Sequence, residues 1–187
     1  MNASSAEETG ELTLLDGTRV RFRPIQPDDA PALQRFHSRL SERSIYQRFF
    51  GVMPVLSDAQ AHRFANVDGV NRVALVALDP SNPSELIAVA RFDRDANSDQ
   101  AEYAAVVADA WQGRGLGLAL TRRLVDAARR RGIRHLYALV LPENIRMLNL
   151  LHDLGLPERI RFQDGFERVE LDLGSETLPA PMKAPEE

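Results

Sequence analysis

The sequence predicts an α/β domain with a mixed central sheet, on three observations. Strand-length apolar runs and stretches of helical periodicity alternate along the chain. Three successive runs, Val73 to Leu78, Leu86 to Asp93 and Glu102 to Ala108, are joined by segments too short for crossover helices, so the sheet is not purely parallel. A glycine-rich segment, Gln112-Gly113-Arg114-Gly115-Leu116-Gly117, lies between the last of these strands and a long amphipathic stretch.

Each element has a local reason. Thr18 to Arg23 alternates Val20 and Phe22 with arginines, the mark of a half-buried strand. Pro27-Asp28-Asp29 opens a helix to about Leu40, with carboxylates at the positive end of its dipole. A short helix runs through Ile45 to Phe50 and stops at Gly51. Ser57-Asp58-Ala59-Gln60 is a capping box that starts a third helix. Val73 to Leu78 is apolar throughout, as expected of a strand buried on both faces. After the glycines, Leu116, Leu120, Leu124 and Ala127 recur at helical spacing; Arg129, Arg130 and Arg131 suit the helix C-terminus, and Gly132 ends it. Ile133 to Leu141 is a further strand, and Pro142-Glu143-Asn144 starts a helix ending at Leu154-Gly155. Asp164-Gly165, between Arg159–Phe162 and Phe166–Leu173, is a hairpin signal. Residues 1–14 are expected to be a flexible lead, 15–173 one domain, and the Pro- and Glu-rich 174–187 a disordered tail.

Composition narrows the function. With no cysteine, disulfides, thiolate metal sites and a cysteine nucleophile are excluded. The four histidines show no metal-ligand spacing, so no metal is expected. A net charge of −4 argues against nucleic acid as a partner. No apolar run approaches the roughly 20 residues that span a bilayer, and the start of the chain lacks an apolar signal core, so no membrane association and a cytoplasmic location are expected. Nothing in the sequence sets an oligomeric state.

A strand, a glycine-rich turn and then a helix make a phosphate site, because glycines let backbone N–H groups converge and the helix adds its unpaired donors and dipole. Two common loops of this kind do not fit. A dinucleotide fingerprint beginning at Gly113 would need glycine where Leu118 stands, and the Gly-Lys-Ser/Thr of a nucleotide-triphosphate loop is missing. What remains is Q-x-x-G-x-G, filled by Gln112, Gly115 and Gly117.

With that loop in its strand–helix context, and with the downstream run Asn144-Ile-Arg-Met147 through Leu154-Gly155, the chain from about residue 17 to 173 resembles the GNAT superfamily of N-acetyltransferases. The resemblance implies a mixed sheet of six to seven strands flanked by helices, with a bulged strand splaying from its neighbour to form the CoA cleft. It implies acetyl-CoA as co-substrate. Gln112, Gly113, Arg114, Gly115, Leu116 and Gly117 would hold the pyrophosphate, while Val107 and Asn144 would meet the pantetheine arm. Asn is also a favoured helix N-cap. Leu151 stands where many members carry the tyrosine that protonates the leaving thiolate.

Glu102 is the candidate general base. Alternation places it with Ala104 and Val106, where apolar neighbours would raise its pKa; a glutamate facing water from the sheet edge is the other reading. Its segment Ala101 to Gly115, with Leu15 to Pro24 and Ser44 to Gly51, resembles bacterial Pat-type protein lysine acetyltransferases, in which the matching glutamate is the base. That implies a protein lysine as acceptor, for instance on an acyl-CoA synthetase. A small-molecule N-acetyltransferase and a non-catalytic CoA-binding module are the alternatives. His152, beside Leu151, is a weaker candidate acid.

Overall fold

The computed structural model describes residues 8–174. The chain runs β1 (Gly10–Thr13), β2 (Arg19–Pro24), a 3-10 turn (Pro27–Asp29), α1 (Ala30–Ser38), α2 (Glu42–Phe49), α3 (Asp58–Ala65), β3 (Arg72–Leu78), β4 (Leu86–Arg94), β5 (Gln100–Val107), a second 3-10 turn (Asp109–Trp111), α4 (Leu116–Arg130), β6 (His135–Val140), α5 (Ile145–His152), β7 (Glu158–Gln163) and β8 (Phe166–Asp172). The outer parts of the expected lead and tail, 1–7 and 175–187, lie outside the described residues.

The sheet is ordered β1-β2-β3-β4-β5-β6-β8-β7 and is antiparallel except where β5 meets β6. It has eight strands, not six or seven. The added strand is β1, inside the segment expected to be a lead. Its four residues contain one buried apolar side chain, Leu12, so no alternation marks it. Pairing with β2, from Gly10 opposite Phe22 to Thr13 opposite Arg19, makes it a strand.

Helices cover the sheet on both faces. Val73, Leu75 and Ala77 of β3 pack with Leu116, Leu120 and Leu124 of α4, whereas Ala74, Val76 and Leu78 pack with the α1–α3 layer, so β3 is buried on both sides. The Ser57 capping box forms, its hydroxyl accepting from the Gln60 N–H and the Gln60 side chain accepting from the Ser57 N–H. Asp164 and Gly165 both take positive φ, 52° and 86°, the turn that matches strand twist in a two-residue hairpin.

The feature that positions the site is a parting of the sheet. β5 pairs with β6 only from Gln100–His135 to Glu102–Tyr137. Beyond that, β5 stays with β4 as far as Val107, and β6 stays with β8 as far as Val140. The two halves diverge and leave a gap between Tyr103–Val107 and Ala138–Val140. The β4–β5 register is unbroken from Ala101 to Val107, so the expected bulge in β5 is not there; the register shift lies at Ala77/Leu78 in β3. Strand divergence alone opens this sheet.

Asp29 replaces the expected dipole contact with a tighter role. Its carboxylate accepts from both Arg23 guanidinium nitrogens, at 2.7 and 2.8 Å, and from the Gln26 N–H at 2.8 Å. Burial pushes Asp29 up, but the Arg23 and Gln26 hydrogen bonds outweigh it and hold the carboxyl below its ordinary value. The pair's stability is therefore present above the unfolded pKa of about 3.9 and is lost as pH falls through the folded value. Asp29→Asn should cost about 1.5–3 kcal/mol at pH 7, the worth of hydrogen bonds to charged groups. Urea titrations from pH 7 to pH 3 should show the variant losing less on acidification than the parent; parallel pH curves would contradict this role.

Candidate active site

The glycine-rich segment is shaped for an anion. Gly113 and Gly115 take φ of 73° and 83°, and Gly115 begins α4 in the left-handed region that an L side chain resists. The Ala119 N–H bonds the Gly115 carbonyl, so the N–H groups of residues 115 to 118 have no partner in the helix and sit at its positive end. Gly117 is needed for closeness: a Cβ there would lie 2.9 Å from Leu150 Cδ1 and 3.4 Å from Val107 Cγ2.

These groups form one end of a cleft of about 500 Å³. It runs over Leu116 and Gly117, along Ala105–Val107 of β5, and past Asn144, Met147 and Leu150. Thr13, Leu14 and Leu15 form part of its rim. The space suits a long, thin ligand with a phosphate head, which is the form of a CoA. No helix among the described residues is long and apolar enough to cross a membrane.

Two loop side chains are engaged within the protein. Gln112 donates to the Val107 carbonyl at 2.9 Å and to Ser44 Oγ at 3.1 Å, and accepts from Arg146 at 2.5 Å. It ties the loop to β5, α2 and α5, leaving its backbone for a ligand. Arg114 turns away from the cleft. It stacks on Trp111, 4.2 Å from the ring centroid, and bonds Asp16 at 2.6 and 2.9 Å and Thr18 at 2.9 Å. Asp16 is held well below the carboxylate range, first by the Thr18 N–H and then by Arg114. Of the expected pyrophosphate set, Arg114 can serve only through its peptide N–H. Leu116 likewise buries its side chain in the core, 1% exposed, and can offer only backbone.

Asp109 went unnoticed in the sequence and anchors α2 to this loop. It accepts from the Ser41 N–H at 2.9 Å, from Ser41 Oγ at 2.6 Å and from Ser44 Oγ at 2.9 Å. Burial raises this carboxyl; the serine hydrogen bonds dominate and lower it. The Ser41-x-x-Ser44 spacing at the start of α2 is a helix-start signal whose partner lies 65 residues away, beyond any local pattern.

Val107 and Asn144 meet across the cleft. The Ala108 N–H bonds Ile87 on β4, so strand alternation turns the Val107 peptide groups the other way, into the gap. The Gln112 contact to the Val107 carbonyl agrees with this, and the Val107 N–H faces the cleft. Asn144 is 8% exposed and caps α5, its Oδ1 accepting from the Met147 N–H at 3.2 Å, so one residue both starts the helix and lines the cleft.

The gap beyond Tyr103 holds a second, smaller cavity lined by Glu102, Arg48, Phe50, Leu139 and Asn144. Glu102 shares a face with Ala104 and Val106, as alternation requires, but it is exposed where β5 and β6 part. The burial expected of it among apolar neighbours is not provided. Leu151 is 1% exposed in the main core and lines neither cavity. His152 is exposed and bonds Glu158 at 2.7 Å, which raises its pKa and keeps it outside both cavities.

Four similarities bear on this arrangement. The crystal structure of the GNAT domain of S. lividans PAT superposes with a TM-score of 0.83 and 40% identity, covering 89% of this chain and 98% of that one. The Pseudomonas aeruginosa protein named acetyltransferase PA5475 is 33% identical over 145 residues, 76% of this chain and 77% of its own. The Mycolicibacterium smegmatis acetyltransferase Pat is 32% identical over 139 residues; the match takes in 72% of this chain but only 40% of that longer protein. The family described as acetyltransferase (GNAT) domain matches residues 19–157, which contain the cleft, the loop and Asn144. With that match over most of its length, the chain belongs to the GNAT family and is an acetyl-CoA-dependent N-acetyltransferase.

Proposed function

We propose that the acceptor is the side-chain amine of a lysine on a protein, and that Glu102 is its general base. The observation that carries this is the position of Glu102: an exposed carboxylate where β5 and β6 part, lining the smaller cavity that adjoins the cleft ending in the phosphate loop. A lysine amine has a pKa of about 10.4 and is protonated at pH 7. Glu102 takes that proton, directly or through water, and the amine nitrogen adds to the thioester carbonyl carbon. The C–S bond then breaks, the extra proton remaining on the acylated nitrogen passes to water, and CoA leaves as the thiolate. With Leu151 in the core, no tyrosine protonates it there. A thiol pKa of about 8.5 makes the thiolate a competent leaving group, protonated afterwards from solvent.

The exposure of Glu102 lets a lysine carried on a folded surface approach it, which a fully buried base would not. The likeness to Pat-type enzymes supports the same reading, and an acyl-CoA synthetase in the cytoplasm is the natural first substrate to try. Gln112, Gly113, Arg114, Gly115, Leu116 and Gly117 hold the pyrophosphate through backbone N–H groups, with Val107 and Asn144 on the pantetheine arm.

Incubation with labelled acetyl-CoA and a cytosolic extract, beside a panel of polyamines, amino acids and amines, tests the acceptor. Labelled protein bands carrying acetyl-lysine are expected. Efficient acetylation of a small amine without any labelled band would replace this reading by the small-molecule one. CoA binding with no transfer to either would mark a regulatory module.

A further inference from the structure

We propose that Arg48 is a further catalytic residue, its guanidinium donating to the thioester carbonyl oxygen as the amine adds and negative charge builds there. This rests on the β5–β6 gap being where amine and thioester meet.

The two cavities share five residues: Gln47, Arg48, Ala105, Asn144 and Met147. One cavity contains the phosphate loop and the other contains Glu102, so this ring marks the junction between donor and acceptor sides. The reacting carbonyl has to lie near such a junction, since the amine comes from one side and the thioester from the other. Arg48 is the one cation in the ring.

Arg48 also has no directly bonded counter-ion among the described residues, the Glu102 and Asp93 carboxylates acting on it only at a distance. Among the described residues its guanidinium makes no hydrogen bond and no ion pair; its one aromatic contact is the Phe49 ring, 4.9 Å from the centroid. Most other arginines around the site are engaged: Arg114 by Asp16, Arg91 by Asp93, Arg146 by Gln112. Arginine near a helix C-terminus ordinarily serves the dipole, yet Arg48 bonds no carbonyl of α2. Protein packed around it disfavours the charge, and Arg91 adds repulsion, so its pKa falls to about 10 despite Glu102 and Asp93 nearby. It still carries its proton at pH 7. A half-buried, charged guanidinium with no hydrogen-bond partner among the described residues, on a residue that lines both cavities and also the apolar pocket around Phe49 and Phe64, gains from an anion supplied by the ligand.

The anion that fits this place is transient. The pyrophosphate belongs to the glycine loop at the other end of the cleft, and the smaller cavity, which Arg48 also lines, holds no residue of that loop. As the amine nitrogen bonds to the carbonyl carbon, the π electrons move onto oxygen, and Arg48 meets that charge beside the Val107 N–H. When the C–S bond breaks, the electrons return to reform the carbonyl and Arg48 is released. Glu102 has by then taken the ammonium proton, the adduct nitrogen gives its extra proton to water, and Arg48 itself neither gives nor takes one.

The experiment uses the full chain with acetyl-CoA labelled at the carbonyl with carbon-13. In the parent, the bound carbonyl resonance should move downfield of free acetyl-CoA, and Arg48→Met should remove most of that shift while the dissociation constant for acetyl-CoA changes less than threefold. This arm needs no acceptor, so it holds whatever the acceptor proves to be and whether or not Glu102 is the base. In turnover, Arg48→Met should lose about 10²- to 10³-fold in kcat, the usual worth of one oxyanion donor. Arg48→Lys, which keeps the charge and guards against misfolding of α2, should recover part of it. An identical resonance in parent and Arg48→Met, or a kcat within threefold, would overturn the proposal. So would a parent that prefers succinyl-CoA, with Arg48→Met losing only that preference, since Arg48 would then be reading an acyl carboxylate.

Discussion

Gly117→Glu should give a folded protein that no longer holds CoA, with affinity down at least about 10²-fold, or roughly 2.7 kcal/mol. The new Cβ would come within 2.9 Å of Leu150 Cδ1, the end of a flexible side chain that can turn aside, so the fold survives. The cleft does not. Gly117 lies in the first turn of α4, where the unpaired N–H groups point, and a carboxylate there takes the donors that a pyrophosphate would use. Calorimetry with CoA, paired with a thermal melt, reads both halves of the expectation. Unchanged affinity would move the phosphate site elsewhere. Gly115→Ala should act differently: at φ 83° its cost falls on the fold, with Leu15 Cγ only 3.0 Å from the added carbon, so melting temperature should drop as well.

Glu102→Gln should retain acetyl-CoA affinity and lose turnover on a lysine acceptor by about 10²-fold or more at pH 7. The amide keeps the shape and removes the base. Raising the pH should recover part of the loss, because more of the acceptor then arrives as free amine. Hydroxylamine, neutral at pH 7, needs no base, so parent and variant should treat it nearly alike. A variant that turns over lysine normally at pH 7 would sink the assignment. One that fails equally on hydroxylamine would show that Glu102 serves binding, not proton transfer.

How far the sequence could foresee this depended on the range of the interaction. The Ser57 capping box, the Asp164-Gly165 hairpin and the doubly buried β3 are written in a few adjacent residues, and they fold as those residues predict. The glycine loop was legible for the same reason. β1 was not, because one leucine makes no pattern and its partner strand does the specifying. Arg114 sits inside the loop motif, yet its side chain answers to Asp16, 98 residues earlier. Glu102 was placed on the correct face by alternation, but strand periodicity does not encode its exposure. Asp109 acquires its role only once α2 is laid beside the loop.

The rim formed by Thr13, Leu14 and Leu15 matters to anyone trimming this protein for the bench. The family match begins at residue 19, and a clone cut to that boundary would look tidy. It would delete β1, leaving β2 as a raw sheet edge, and with it Leu15, whose backbone N–H bonds the Arg114 carbonyl at 3.2 Å. It would also delete Asp16, the partner that latches Arg114. Such a fragment would keep every residue of the glycine motif and yet leave the motif unsupported on one side. A serviceable piece of this enzyme therefore has to include β1 and the Leu15–Asp16 segment, all of which lie before the first residue of the family match.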